Sequence, residues 1–599
     1  MTPRLFAALS AAAIWLVAGP AAALDPLVGM WISKSVSTPG LDGEITLSHA
    51  GSVWSASLAG QRATAMATSG RINLTFHGEG GQFRAEVDAA GRLTDSFWVQ
   101  PAKGFGVLRQ PYAIPVSLRP TSKSAWLGKI HPMTNSFTLY LKIFGEPDGT
   151  LTAALRNPEA NFNGGRAQFM VRREGDALQF ETRPAEGQRT IRLDGRVTGD
   201  HLSLKLPGLD RAFDLARADP QTAERFFPRP AGSPPYHYHA PPALGDGWRT
   251  AHAATVGLNE VALAKIVRAE IESDPAGLHP PLIHSILIAR HGKLVLEEYF
   301  FGFDAATLHD TRSAAKTFNS VMLGSVMLRD GALGPENKIY DLLAGKAPFA
   351  NPDRRKANIS LAHLLTHTSG LACDDNDDDS PGNEDTMQSQ TQQPDWAKYT
   401  LDLAMAHDPG DRYAYCSANA NLVIAALSAR TGVWSPQLFD RMIAKPLQFG
   451  PYAWDLTPSG DGYGGGGVYM RPRDLLKIGQ TYLDGGAWNG RRIVSADWVK
   501  RSTAPRIDVS PATTGLTPDA FAQVYNRGKD GYAWHLSELK VGDRIYRDYE
   551  ATGNGGQLLI VVPDGDLVVV FTGGNYGQGG IWGQWRDRIV AKQIIPAIR

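Results

Sequence analysis

Ser313-Ala314-Ala315-Lys316 sets a hydroxyl three residues ahead of an amine. On a helix that spacing puts both side chains on one face. A serine hydroxyl needs a neighbouring base before it attacks a carbonyl, and a helix N-terminus favours the negative charge that develops. Tyr415-Cys416-Ser417 supplies a phenol for the proton transfers. Gly553-Asn554-Gly555-Gly556-Gln557 supplies a turn whose missing side chains let backbone N–H groups approach a carbonyl oxygen. This set can perform acyl transfer. Ser313 is the nucleophile, Lys316 and Tyr415 move protons, and the N–H groups of Ser313 and of Asn554 or Gly555 hold the oxyanion. Either Lys316, made neutral by burial, or Tyr415, held as a phenolate by Lys316, can be the base, and the residue types leave both open.

These groups need elements to position them. Residues 313–328 hold no proline and one glycine, with Val321, Met322, Val326 and Leu328 on an apolar side, so a helix is predicted there. A second Ser-x-x-Lys, Ser537-Glu538-Leu539-Lys540, falls in an alternating segment and reads as a surface strand. Hairpins are predicted from 285–289 with 294–297 and from 558–562 with 567–571. The order of elements fits a central antiparallel sheet flanked by helices, with a helical lobe and the site between the two. Trp534, Trp582 and Trp585 read first as core and second as walls for an apolar group.

The catalytic motifs resemble those of the beta-lactamase-related serine hydrolases: class C beta-lactamases, D-Ala-D-Ala carboxypeptidases, family VIII esterases and 6-aminohexanoate-dimer hydrolase. The resemblance covers about residues 255–599. It rests on Ser313 to Lys316 followed by Thr317-Phe318, on His363-Leu364-Leu365-Thr366-His367-Thr368-Ser369-Gly370, and on Pro409-Gly410-Asp411-Arg412-Tyr413-Ala414-Tyr415. It continues through the glycines from Gly464 with Arg471-Pro472-Arg473-Asp474-Leu475, and ends on the Gly553 turn with the strand after it. It implies an α/β beta-lactamase/transpeptidase-like domain acting through an acyl-enzyme on Ser313, without a cofactor or metal. Two departures matter. The family's Tyr-x-Asn is Tyr415-Cys416-Ser417, so Ser417, or Asn419, stands where an amide would position substrate. The family's Lys-Thr-Gly or His-x-Gly is Thr552-Gly553-Asn554-Gly555, which leaves no cation to grip a substrate carboxylate. Both favour an esterase or small-amide hydrolase with a neutral acyl donor over a beta-lactamase or D-Ala-D-Ala carboxypeptidase. A non-catalytic binding protein that retains the fold is the other alternative. Cys373 and Cys416, the two cysteines, fall on segments that approach the site in this family, and read either as a disulfide bracing Tyr415 or as two buried free thiols.

Residues 1–23 read as a signal peptide, with Arg4, an apolar run from Leu5 and Ala21-Ala22-Ala23, and imply a periplasmic or secreted bacterial protein. Residues 24–215 alternate like strands and are expected to form one or two barrel or sandwich units, serving stability or dimerisation, or else as a ligand-binding or lid module. A faint echo of the Trp31 region at Trp126 suggests two halves. Residues 216–250 read as a Pro-rich linker before a catalytic domain at 251–599. Within it, Tyr236-His237-Tyr238-His239 reads as packing on a neighbouring domain rather than a metal tract. The acidic run from Asp374 to Asp379 reads as a solvated loop at the rim of the site, or less simply as a calcium loop lacking its closing Glu. Sixty basic residues balance sixty acidic ones, so charge gives no sign of nucleic acid or anionic membrane as partner. The expected partner is a small ester or amide.

Overall fold

The computed structural model describes residues 25–599 except 79, 103–109, 160–167, 183–189, 207–211, 220–222, 278–279 and 526–527. The expected signal peptide lies outside the described residues. The N-terminal region is all-β and the chain is multi-domain. One unit is a closed eight-stranded barrel. Its first strand, Gly29–Ser37, pairs with Asn135–Gly145 on one side and with Ala212–Arg217 on the other. Alternation drives it: in Ala177–Thr182 and His201–Lys205 every second residue is buried. Trp31, Leu139, Leu141, Phe180, Leu202 and Leu204 fill the interior and are at most 1% exposed, so the barrel is a packed core.

Residues 43–130 are inserted between the first two barrel strands and form a second unit of two facing sheets. Ile45, Trp54, Leu74, Phe83, Trp98 and Trp126 make its core. The two halves suggested by sequence are therefore nested rather than tandem. The Trp126 strand, Ala125–Ile130, pairs with Gly43–Ala50, because strand partners follow from packing that alternation does not encode.

A nine-stranded sheet organises the C-terminal part. Arg249–Thr250 forms one edge, parallel to Lys293–Tyr299, and the remaining pairs are antiparallel, with both expected hairpins present. Helix Glu260–Ile271 and the C-terminal helical segment from Arg586 pack with one apolar face of the sheet. Lys316–Met327 and Pro472–Leu483 share the larger core with the helical lobe. The Pro-rich stretch is strapped down rather than loose. Phe226 is buried against Tyr140, the Tyr238 hydroxyl donates to the Val295 carbonyl at 2.7 Å, and Asp246 pairs with Arg473 at 2.9 Å. Buried aromatic and charged anchors override a proline composition that reads as linker.

Candidate active site

Ser313 lies in a 3-10 turn, Arg312–Ala315, that feeds the helix Lys316–Met327. Lys316 is buried beneath it. Its ammonium donates to Ser313 Oγ at 3.0 Å and to the Gly465 carbonyl at 2.7 Å. It also lies 5.0 Å from the centroid of the Tyr415 ring. Burial pulls the Lys316 pKa down, but Tyr415, Glu384 and Asp375 together hold it above the ordinary lysine value. Lys316 thus faces Ser313 Oγ as a hydrogen-bond donor.

The glycine turn that receives Lys316 is clasped by two helices. Asn319 donates to the Gly464 carbonyl at 3.1 Å, and the Gly464 N–H donates to Asn421 Oδ1 at 2.9 Å. A side chain at Gly464 would overlap the Ala420 carbonyl, so the close approach requires glycine.

Tyr415 is placed by the segment the sequence singles out after Leu365. The Ala414 N–H donates to the His367 carbonyl at 2.9 Å, the Cys416 N–H donates to His367 Nδ1 at 3.2 Å, and the His367 ring lies 4.7 Å from that of Tyr415. Of the two readings of the cysteines the disulfide holds: Cys373 and Cys416 are bonded, with Cα atoms 5.6 Å apart. It ties the Tyr415 segment to the start of the acidic run.

That run departs from the sequence reading. Asn376 and Asp377 to Asp379 are exposed, as a solvated loop requires, but Asp375 turns inward. Its Oδ2 accepts the Ser417 N–H at 2.8 Å and the Ser417 hydroxyl at 2.6 Å, while the Asp375 N–H donates to the Tyr415 carbonyl at 2.8 Å. Burial, then the nearby Glu384 carboxylate, pushes Asp375 up to about 6. Glu384 in turn accepts from the Tyr463 hydroxyl. Ser417, expected to meet substrate, is fully buried with its hydroxyl given to Asp375. Sequence reasoning missed Asp375 and Glu384, because a dense acidic run normally reads as a solvated loop; the disulfide cysteine at its head, Cys373, was the available signal.

The Gly553 turn closes the site. A side chain on Gly553 would overlap the Thr311 carbonyl and sit 3.1 Å from Arg312 Cβ, which puts this turn directly against the loop that carries Ser313. Gly555 has φ +98°, and a side chain there would run into the Tyr576 ring. Gln557 donates to the Asn554 carbonyl at 3.2 Å and the Gly573 carbonyl at 2.8 Å, and Asn554 Oδ1 accepts the Gly577 N–H at 2.8 Å. The Asn554 side chain therefore braces the turn. Arg312, itself left-handed at φ +49°, is paired to Asp310 at 2.9 Å. The second Ser-x-x-Lys lies in the strand His535–Val541, as expected, and Trp534 packs in the core against Tyr482 and Tyr549. Among the described residues no helix is long and apolar enough to cross a membrane.

The Beta-lactamase family model matches residues 284–577. The chain is similar to 6-aminohexanoate-dimer hydrolase of Paenarthrobacter ureafaciens, with 23% identity over 301 residues, 48% of this chain and 71% of that one. Among solved structures it is similar to EstCE1, described as a hydrolase with promiscuous acyltransferase activity, at a TM-score of 0.43 and 17% identity, covering 56% of this chain and 98% of the other. It is also similar to a penicillin-binding protein homolog from Caulobacter crescentus, at a TM-score of 0.40 and 14% identity, covering 52% and 91%.

Proposed function

We propose, for a chain whose residues 284–577 are a beta-lactamase-family domain, a serine hydrolase that cleaves a neutral ester or small amide through a Ser313 acyl-enzyme. One observation carries the reading: the Lys316 ammonium reaches Ser313 Oγ at 3.0 Å, with the Tyr415 ring centroid 5.0 Å from the same nitrogen. Lys316 and Tyr415, side by side at Ser313, move its proton as Oγ attacks the carbonyl. The N–H groups of Ser313 and of Asn554 or Gly555 receive the oxyanion. The proton returns to the leaving alcohol or amine, and water releases the acyl group by the reverse path.

The substrate class follows from charge. Thr552-Gly553-Asn554 offers no cation, and the nearby Arg312 is already committed to Asp310. A substrate carboxylate would find no partner there, which favours esters and amides over beta-lactams and D-Ala-D-Ala peptides. The similarity to 6-aminohexanoate-dimer hydrolase is compatible with amide cleavage. Export to an oxidising compartment is part of the same proposal, supported by the Cys373–Cys416 disulfide; fractionation of the native host that leaves the protein in the cytoplasm would remove it.

The test is turnover of p-nitrophenyl esters, small amides, a chromogenic cephalosporin and a D-Ala-D-Ala peptide by wild type and Ser313→Ala. Ester or amide turnover that is lost in the variant is expected. Cephalosporin or D-Ala-D-Ala turnover above ester turnover would overturn the substrate class, and full activity in Ser313→Ala would overturn the mechanism.

A further inference from the structure

Two lines of contact leave the N-terminal β units and end on the same two residues, His309–Asp310, just ahead of the nucleophile. The first is a sheet. His309–Asp310 pairs with Val468–Met470, which pairs with Ala453–Asp455, which pairs with Tyr112–Pro115 of the two-sheet unit. One seven-stranded sheet thus runs from the N-terminal core to the nucleophile loop. Across it, the hydroxyls of Tyr112 and Tyr469 share a hydrogen bond in which either can donate, and the rings meet edge to face at 5.5 Å. Tyr469 is the register partner of Asp310.

The second line comes from the barrel. Arg156, at the end of the barrel strand Leu151–Arg156, is 5% exposed and anchored to the Phe226 carbonyl at 2.8 Å. Its other guanidinium nitrogen is 3.4 Å from His284 Nε2, whose Nδ1 is 2.9 Å from His309 Nε2; His309 Nδ1 is 3.2 Å from the Asp310 carbonyl. A guanidinium can only donate, so His284 Nε2 must accept. Each ring then passes one N–H onward, and the chain of donors ends on the Asp310 carbonyl. Both imidazoles are neutral in this arrangement, as their complete burial requires. Asp310 completes the link: its Oδ1 accepts the Arg312 N–H at 2.8 Å, and its Oδ2 holds the Arg312 guanidinium. A left-handed residue immediately before the nucleophile persists only where its surroundings enforce it.

We propose that the N-terminal β units position the nucleophile, with Tyr112 and Arg156 as positioning residues that act through His309–Asp310 on the backbone of Arg312 and Ser313. This rests on the assignment of Ser313 as nucleophile and goes beyond it, since it makes the N-terminal half part of the catalytic apparatus.

The experiment uses full-length Tyr112→Phe, Arg156→Gln and Arg156→Lys. Active sites are titrated by fluorophosphonate labelling of Ser313, and kcat per titrated site and KM are measured on a p-nitrophenyl ester. Misplacing a nucleophile slows chemistry more than binding, so kcat per site should fall about tenfold in Tyr112→Phe and Arg156→Gln, with KM within about twofold. The labelling rate should fall in parallel, and Arg156→Lys should recover part of the loss. Unchanged kcat per site with fewer sites would mean a merely structural role and would overturn the proposal. So would wild-type kcat in all three variants. Labelling absent from Ser313 in the wild type would instead bring down the nucleophile assignment, and this proposal with it.

Discussion

Lys316 gives its ammonium to Ser313 Oγ and the Gly465 carbonyl with the Tyr415 ring beside it, and the proposed mechanism rests on that arrangement. On the proposed mechanism Tyr415→Phe removes one of the two proton-transfer groups and should lower kcat by about 10²–10⁴-fold with KM little changed, checked on the best ester. Asp375 provides a second, pH-dependent test. Its carboxylate accepts two hydrogen bonds from Ser417 and is pushed up to about 6, so it is ionised above that value and loses its charge below it. An acid limb in kcat near pH 6 is expected in the wild type and should vanish in Asp375→Asn; an identical limb in the variant would assign it to another group. Ser313, Lys316 and Tyr415 are legible in the sequence because their chemistry is packed into short motifs. Asp375 is not, since nothing local separates a carboxylate that turns inward from the exposed Asp377 to Asp379 beside it.

At the scale of elements, the disulfide and the buried carboxylates of the sheet make separate predictions. Cys373–Cys416 closes a sequence separation of 43 residues and joins the Asp375 loop to the Tyr415 segment. Replacing both cysteines by serine should cost about 2–4 kcal/mol, read as a lower thermal midpoint, and should loosen Asp375 and Tyr415 together. Asp548, in the strand Arg544–Gly553, accepts from the Ser537 hydroxyl at 2.8 Å. Burial first, then Glu550, pushes it up to about 8. For an acid raised this way the folded state resists ionisation, so stability falls as pH climbs from the unfolded carboxylate value near 4 to about 8, and stays lower above that. Asp548→Asn should therefore stabilise the protein more at about pH 9 than at about pH 5, measured by thermal melts; an equal gain at both would contradict the sign. Strands and the nucleophile helix are visible in alternation and spacing. The strap at Phe226 and Tyr238 is hidden, because its anchors are single side chains inside a proline-rich stretch.

Over the whole molecule, the shared sheet makes the N-terminal and catalytic parts one mechanical body. Arg441 pairs with Glu86 and with Asp95 at 2.7 Å, and Lys445 with Asp95 at 2.8 Å, across the same boundary. Calorimetry should show one dominant unfolding transition, and a separate N-terminal transition would contradict a shared core. This level is the least legible in the sequence. Tyr112–Pro115 is four residues without alternation, its partner Ala453–Asp455 lies more than three hundred residues away, and only the packed structure joins them. The most direct test of the account is labelling the purified full-length protein with a fluorophosphonate and mapping the adduct by intact and peptide mass. A single adduct on Ser313, absent from Ser313→Ala and slowed in Tyr415→Phe, is the predicted result; no adduct, or one on another residue, would contradict it.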